Sequence, residues 1–298
     1  MKLAIFGDVH LYSLALKPWD LLSKRALGQA NLWLNRRTHF DPDLLEGLVG
    51  RIDAVEPDLL LGSGDLTTTA LSSEFAMARA RLGPLFERFP SLIIPGNHDR
   101  YTFRAARRHR FEQWFEPWCP SGYPYHFDAG GLHVVALDAT RPNRLFDRGE
   151  IGDRQMRVLA GLLRHIPAGE GVMVLCHYTL GPPPGGGDES TLHRLIDEAQ
   201  LLDTLKLADR PAVYVHGHVH RPWLFRPEAA PNVLSLNAGS PTHVSSGAPR
   251  GQGFWELDWP TGSATPARLT RHVPEGEDQW RVRKVDPPAA PHIEAEVD

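Results

Sequence analysis

The chain has 298 residues, 42% of them hydrophobic and 23% charged, with a net charge of −4 at pH 7. That allows one large domain or two small ones of ordinary soluble composition, and it argues against a generally basic nucleic-acid binder while leaving room for local basic patches. Two cysteines, Cys119 and Cys176, lie far apart and outside any C-x-x-C, which argues against a disulfide framework and reads as a reducing compartment or indifference to redox.

The opening "MKLAIFGDVH" has too short an apolar core for a signal peptide. Nowhere do about 18 apolar residues run together, so no transmembrane segment is expected and a cytoplasmic protein is the default. "KLAIF" reads as a strand running into Gly7-Asp8. Next comes a basic amphipathic segment, Lys17 to Phe40. Trp19, Leu22, Ala26, Ala30 and Trp33 follow helical spacing, with Leu27 and Leu34 widening the stripe. Lys17, Lys24, Arg25, Arg36 and Arg37 oppose a single acid, Asp20. Its apolar face either packs on the domain or meets lipid as a peripheral membrane contact, which would place the protein at the inner membrane surface.

"DPDLLEGLVGRIDAV" predicts a helix with Asp41 as N-cap and Pro42 in the first helical position. "DLLLG" is a strand before Ser63-Gly64-Asp65, and "SSEFAMARARLGPLFER" a second helix. "SLIIP" leads to Gly96-Asn97, followed by "RYTFRAARRHRFEQW", in which Arg100, Arg104 and Arg107 are expected on one helix face. They suit a second phosphate, a nucleic-acid backbone, or plain solvent. "GDRQMRVLAGLLRHI" is helical, and "VMVLC" a strand ending at His177. "GPPPGGGDES", Gly181 to Ser190, reads as a projecting loop.

"AVYV" runs into His216, and the alternation of an extended chain would aim His216, His218 and His220 to one side. "VLSLNAGS", "GFWELDW" and "ARLTRHV" look like strands of a second sheet, and residues 284–298 like a loose tail after a domain spanning 1–283.

Five apolar runs thus end in polar residues: Asp8-x-His10, Gly64-Asp65, Gly96-Asn97-His98-Asp99, His177, and Gly217-His218-x-His220. Continuous apolar runs suit strands covered on both faces, whose carboxyl ends gather ligands. Carboxylates, imidazoles and an amide without thiolates suit manganese, iron, zinc or nickel better than a cysteine-type zinc site. The five blocks, in this order, resemble the calcineurin-like metallophosphoesterases. That resemblance implies an α/β fold, a four-layer α/β/β/α sandwich of two mixed sheets with two divalent metal ions at the strand ends, manganese foremost.

By the same resemblance Asp65 bridges the metals. Asp8, His10 and His220 complete one site, and Asn97, His177 and His218 the other. His98 would assist the leaving group with Asp99 orienting its ring, while a metal-activated hydroxide attacks phosphorus. His216 receives no role and reads as a packed or ligand-supporting histidine. Arg100, Arg104 and Tyr178 are the candidate substrate contacts; many relatives have a second histidine where Tyr178 stands.

"GDLTTTA" and "GNHDR" depart from the protein Ser/Thr phosphatase pattern, and Thr68 stands where purple acid phosphatases place a ligand tyrosine. The core looks most like bacterial cyclic-nucleotide phosphodiesterases, which implies a phosphodiester or pyrophosphate substrate, a nucleotide or nucleotide-lipid. The segment 17–40 is similar to inserts of UDP-diacylglucosamine hydrolases. A nuclease and a non-catalytic scaffold are the remaining alternatives.

Overall fold

Adjacent residues of each apolar run enter different interiors. In β1 (Lys2–Phe6), Leu3 and Ile5 join one buried cluster while Ala4 and Phe6 join another. In β6 (Gly171–Leu175), Met173 and Leu175 share the first cluster, and Val172 and Val174 belong to a third. A strand whose every residue is buried must be covered on both sides. The computed structural model, which describes residues 1–13, 39–142, 148–181, 194–244, 251–276, 279–291 and 297, shows that cover.

The first sheet joins β1 in parallel to β2 (Leu59–Gly62) and β3 (Ser91–Ile93). On its other side β1 pairs antiparallel with β10 (Phe254–Asp258), followed by β11 (Arg268–Pro274) and β12 (Trp280–Val285). The second sheet runs β4-β5-β6-β7-β9-β8, from β4 (Tyr125–Asp128), β5 (Leu132–Ala136), β6, β7 (Ala212–His216), β8 (Trp223–Phe225) and β9 (Val233–Asn237). Its four central strands are parallel and its two edge strands antiparallel.

The sheets face each other across a core that includes Leu3, Ile5, Leu61, Val134, Met173 and Val215. Among the described residues four helices cover the outer face of the first sheet: α1 (Leu44–Val55), α2 (Ser72–Arg88), α3 (Phe103–Arg107) and α4 (Arg110–Phe115). On the second sheet lie α5 (Asp153–His165) and α6 (Glu198–Leu207). The architecture is the α/β/β/α sandwich. Among the described residues no helix is long and apolar enough to cross a membrane.

Three expectations are corrected. The strands near the end of the chain do not form a sheet of their own: β9 pairs with β7, whereas β10 pairs with β1. Helix α1 begins at Leu44, because the Asp41 carboxylate and carbonyl accept the N–H groups of Asp43 and Leu44 and close a separate turn first. The break after residue 283 falls inside β12, whose Val285 is buried, and Arg226 Nε donates to the Pro288 carbonyl at 3.1 Å. All of segment 17–40 except His39 and Phe40, and all of loop 181–190 except Gly181, lie outside the described residues.

Candidate metal centre

Each ligand candidate follows the carboxyl end of a strand, where the chain turns sharply. Asp8 (φ 51°), His10 (49°), Asp65 (55°), His218 (77°) and His220 (58°) all adopt the left-handed region. Aspartate and histidine tolerate it better than most residues, yet each such position costs about 1–3 kcal/mol and persists only where its surroundings fix it. Here the turns brace one another. Asp8 N–H donates to the Gly64 carbonyl and His10 N–H to the Asp65 carbonyl, both at 2.9 Å. The approach is too close for side chains at two glycines: a Cβ on Gly96 would lie 2.0 Å from Asp65 Oδ1, and one on Gly217 2.3 Å from Asp8 Oδ2.

Strand alternation therefore does not apply to the three histidines. β7 stops at His216, and the next two lie in the turn. Buried His216 packs into the second sheet, accepting from Trp223 Nε1 at 3.1 Å and contacting Ser235 Oγ at 3.0 Å. Burial pushes it down to about 3, so it is neutral, and it belongs to neither donor group.

Two sets of donor atoms converge. Asp8, His10, Asp65 and His220 form one, and Asp65, His177 and His218 the other; within each set all lie within 4.8 Å. Asn97 Oδ1 joins the second, 2.9 Å from His177 Nε2 and 3.0 Å from His218 Nδ1. Only Asp65 is common to both. Its Oδ2 is buried without a hydrogen-bond partner among the described residues, 3.5 Å from His10 Nε2 and 3.4 Å from His177 Nε2. An orphaned carboxylate oxygen between two imidazole sets fits a shared cation ligand. The ring of His177 is set for the same purpose. Its Nδ1 donates to the Ser63 carbonyl at 2.9 Å, which leaves the Nε2 lone pair facing the centre.

The charges agree with a cation site. Burial raises Asp65, but His177 and His98 outweigh it and hold the carboxyl well below its usual range. Asp8 is pushed well above, by burial and then by Asp65 despite the opposing pull of His177. His177 is lowered by burial, yet Asp65 and Asp8 carry it up to about 9. A proton and a divalent cation are alternative answers to that negative field.

His98 sits beside the shared aspartate. Its backbone N–H donates to Asp65 Oδ1 at 2.8 Å, and its ring lies 4.8 Å from that of His10 and stacks on Tyr101 at 5.6 Å. The ring is oriented by the Thr68 carbonyl, 2.7 Å from Nδ1, and not by Asp99 as expected. Asp99 is fully buried and turned to the backbone: it accepts from the N–H groups of Leu66, Thr67 and Gly96 and from the Thr67 hydroxyl. It stitches the loop after β2 to the loop after β3.

The substrate contacts expected from sequence are rearranged. Arg100 precedes α3 and does not share a helix face with Arg104 and Arg107. Its side chain, 12% exposed, pairs with Glu112 and, at 3.0 Å, with Asp138. Arg104 is exposed. Tyr178 is fully buried, its ring 4.5 Å from that of His218, so it packs behind a ligand candidate.

Residues the sequence reading passed over complete the surroundings. Phe40 lies 4.7 Å from the His10 ring and 5.4 Å from that of His220, and its strand-like bridge to His243 closes that side. Asn237, the last residue of β9, and Ser240 and Thr242 beyond it bond the ligand loops. The run "VLSLN" ends in a polar residue just as the other five do, and that signal was available.

A model of the calcineurin-like phosphoesterases matches residues 1–222, and the chain belongs to that family, whose members act on phosphate esters. The protein is a metallophosphoesterase, a hydrolase. Among solved structures it is similar to a dimetal phosphatase from Danio rerio, with 12% identity and a TM-score of 0.61 over 94% of this chain and 98% of that one. It is similar to PhoD at 12% identity and a TM-score of 0.61, over 97% and 72% respectively. At such identity the likeness is one of fold. No curated protein matches the chain.

Proposed function

We propose that the protein hydrolyses a phosphodiester or pyrophosphate bond of a nucleotide or nucleotide-lipid with the help of two divalent cations, manganese foremost. The observation that carries this reading is Asp65 Oδ2, buried between two donor sets that otherwise share no residue. Asp8, His10 and His220 would hold one cation and Asn97, His177 and His218 the other, with Asp65 between. When bound, the pair supplies charge for the phosphoryl oxygens and a water acidified from 15.7 towards about 7 as nucleophile.

The chain's own groups do the rest. A carbonyl can only accept, so His98 keeps one proton on Nδ1 toward Thr68. In its imidazolium form the second proton, on Nε2, is the one given to the leaving oxygen, which leaves the neutral ring. Asp99 fixes the loop on which His98 rides. Arg104, exposed as Arg107 is, is the candidate left for a distal phosphate, since Arg100 is held by carboxylates.

The test is phosphorus NMR of manganese-loaded enzyme with cyclic AMP and, separately, with UDP-diacylglucosamine in mixed micelles, each with a chelated control. Chelator-sensitive cleavage of either supports the reading and chooses between a soluble nucleotide and a lipid at the membrane surface. Cleavage of neither, alongside turnover of a simple phosphomonoester, would overturn it.

A further inference from the structure

The family match stops at residue 222, yet the ligand loops are held by side chains beyond it. After β9 the chain enters a fully buried turn. There Ser240 Oγ donates to the Asp8 carbonyl and Thr242 Oγ1 to the Val9 carbonyl, both at 2.6 Å. Those carbonyls belong to the loop whose Asp8 and His10 are in the left-handed region. The anchoring turn is itself fixed. Buried Arg271 donates to the carbonyls of Ala238, Gly251 and Gln252, and Asp41 N–H donates to the Thr242 carbonyl at 2.7 Å.

The arrangement is one-sided. Ser240, Thr242 and Phe40 surround the Asp8, His10 and His220 set. The other set rests mainly on different supports, Ser63 for His177 and Asp99 for the Asn97 loop, while His218 N–H donates to the Asp8 carboxylate at 2.9 and 3.0 Å. Asn237 donates to the Gly217 carbonyl, which precedes a member of each set, and so does not discriminate.

We propose that Ser240 and Thr242 are positioning residues for one cation only, holding the Asp8–His10 loop so that Asp8, His10 and His220 converge. This rests on the reading that each set holds a cation. The chain beyond the family match would then govern the occupancy of half the centre.

Equilibrium dialysis against manganese with elemental analysis measures ions per chain for wild type, Thr242→Val, Ser240→Ala and Thr242→Ser. Melting of each in chelator reports folding separately. Wild type should bind two. Thr242→Val should keep one and bind the other about 10–100-fold more weakly, the usual cost of removing a group that orients a ligand. Ser240→Ala should do the same and carries the test if Thr242→Val fails to fold. Thr242→Ser, which keeps the hydroxyl, should restore wild-type binding.

Two ions at unchanged affinity in both Thr242→Val and Ser240→Ala would overturn the proposal, as would equal weakening of both ions. Fewer than two ions in wild type would overturn the two-cation reading beneath it.

Discussion

Asn97 and Arg100 are three residues apart, and they reach their positions by different means. Asn97 is delivered by β3 and a loop pinned at Asp99, which brings its amide oxygen between His177 and His218. Arg100 has a long, flexible side chain, and its place is settled by Glu112 and Asp138. The ligand candidates are placed by backbone, and the arginine by distant partners. A motif therefore transfers the position of a side chain, whereas a basic run transfers only an inventory of charges.

The largest effect that would test this contrast is at Asp65. Asp65→Ala should reduce turnover to background and lower the metal content; a variant with full activity would remove the shared ligand from the account. His98→Ala should slow turnover by about 10²–10⁴-fold, the range of a general acid or base. Both ions should remain, and the loss should shrink for substrates with a nitrophenolate leaving group. Loss of metal from that variant would show that His98 is a ligand.

Arg100→Ala should cost about 3–5 kcal/mol of stability in denaturant unfolding, because it strands two carboxylates in a largely buried site. Its KM should stay unchanged. A raised KM with normal stability would return Arg100 to the substrate. Arg104→Ala is the smallest change: stability within about 0.5 kcal/mol, as for most surface positions, and a few-fold rise in KM that fades as salt screens the charge. A KM independent of both the substitution and salt would leave Arg104 to the solvent.

The same distinction explains how far the sequence could be read. That Asp8, His10, Asp65, Asn97, His177, His218 and His220 come together was legible because each follows an apolar run at a strand's carboxyl end; their roles as ligands come from the family resemblance. Gly96 and Gly217 are needed there because no Cβ fits. The face taken by His216 was not legible, since β7 ends on it and the backbone leaves the extended region just beyond. Nor was the sheet to which β10 belongs. Pairing is chosen by partner strands, and Phe254–Asp258 finds β1 some 250 residues away in sequence. The helix start at Leu44 was displaced by a local competitor, the Asp41 side chain. Ser240 and Thr242 act through short hydroxyls on carbonyls, a role without a residue pattern of its own.

The pairing of β1 with β10 sets a clock on synthesis. Met1 and Trp259 exchange backbone hydrogen bonds at 2.9 and 2.7 Å, so the first strand lacks one neighbour until nearly the last strands are made. At roughly 5–20 residues per second, β1 waits about 10–50 s on the ribosome with that edge unpaired. The hydroxyls that brace Asp8 and Val9 emerge within the same interval. A nascent chain thus carries Asp8 and His10 long before the hydroxyls that brace their loop have been made.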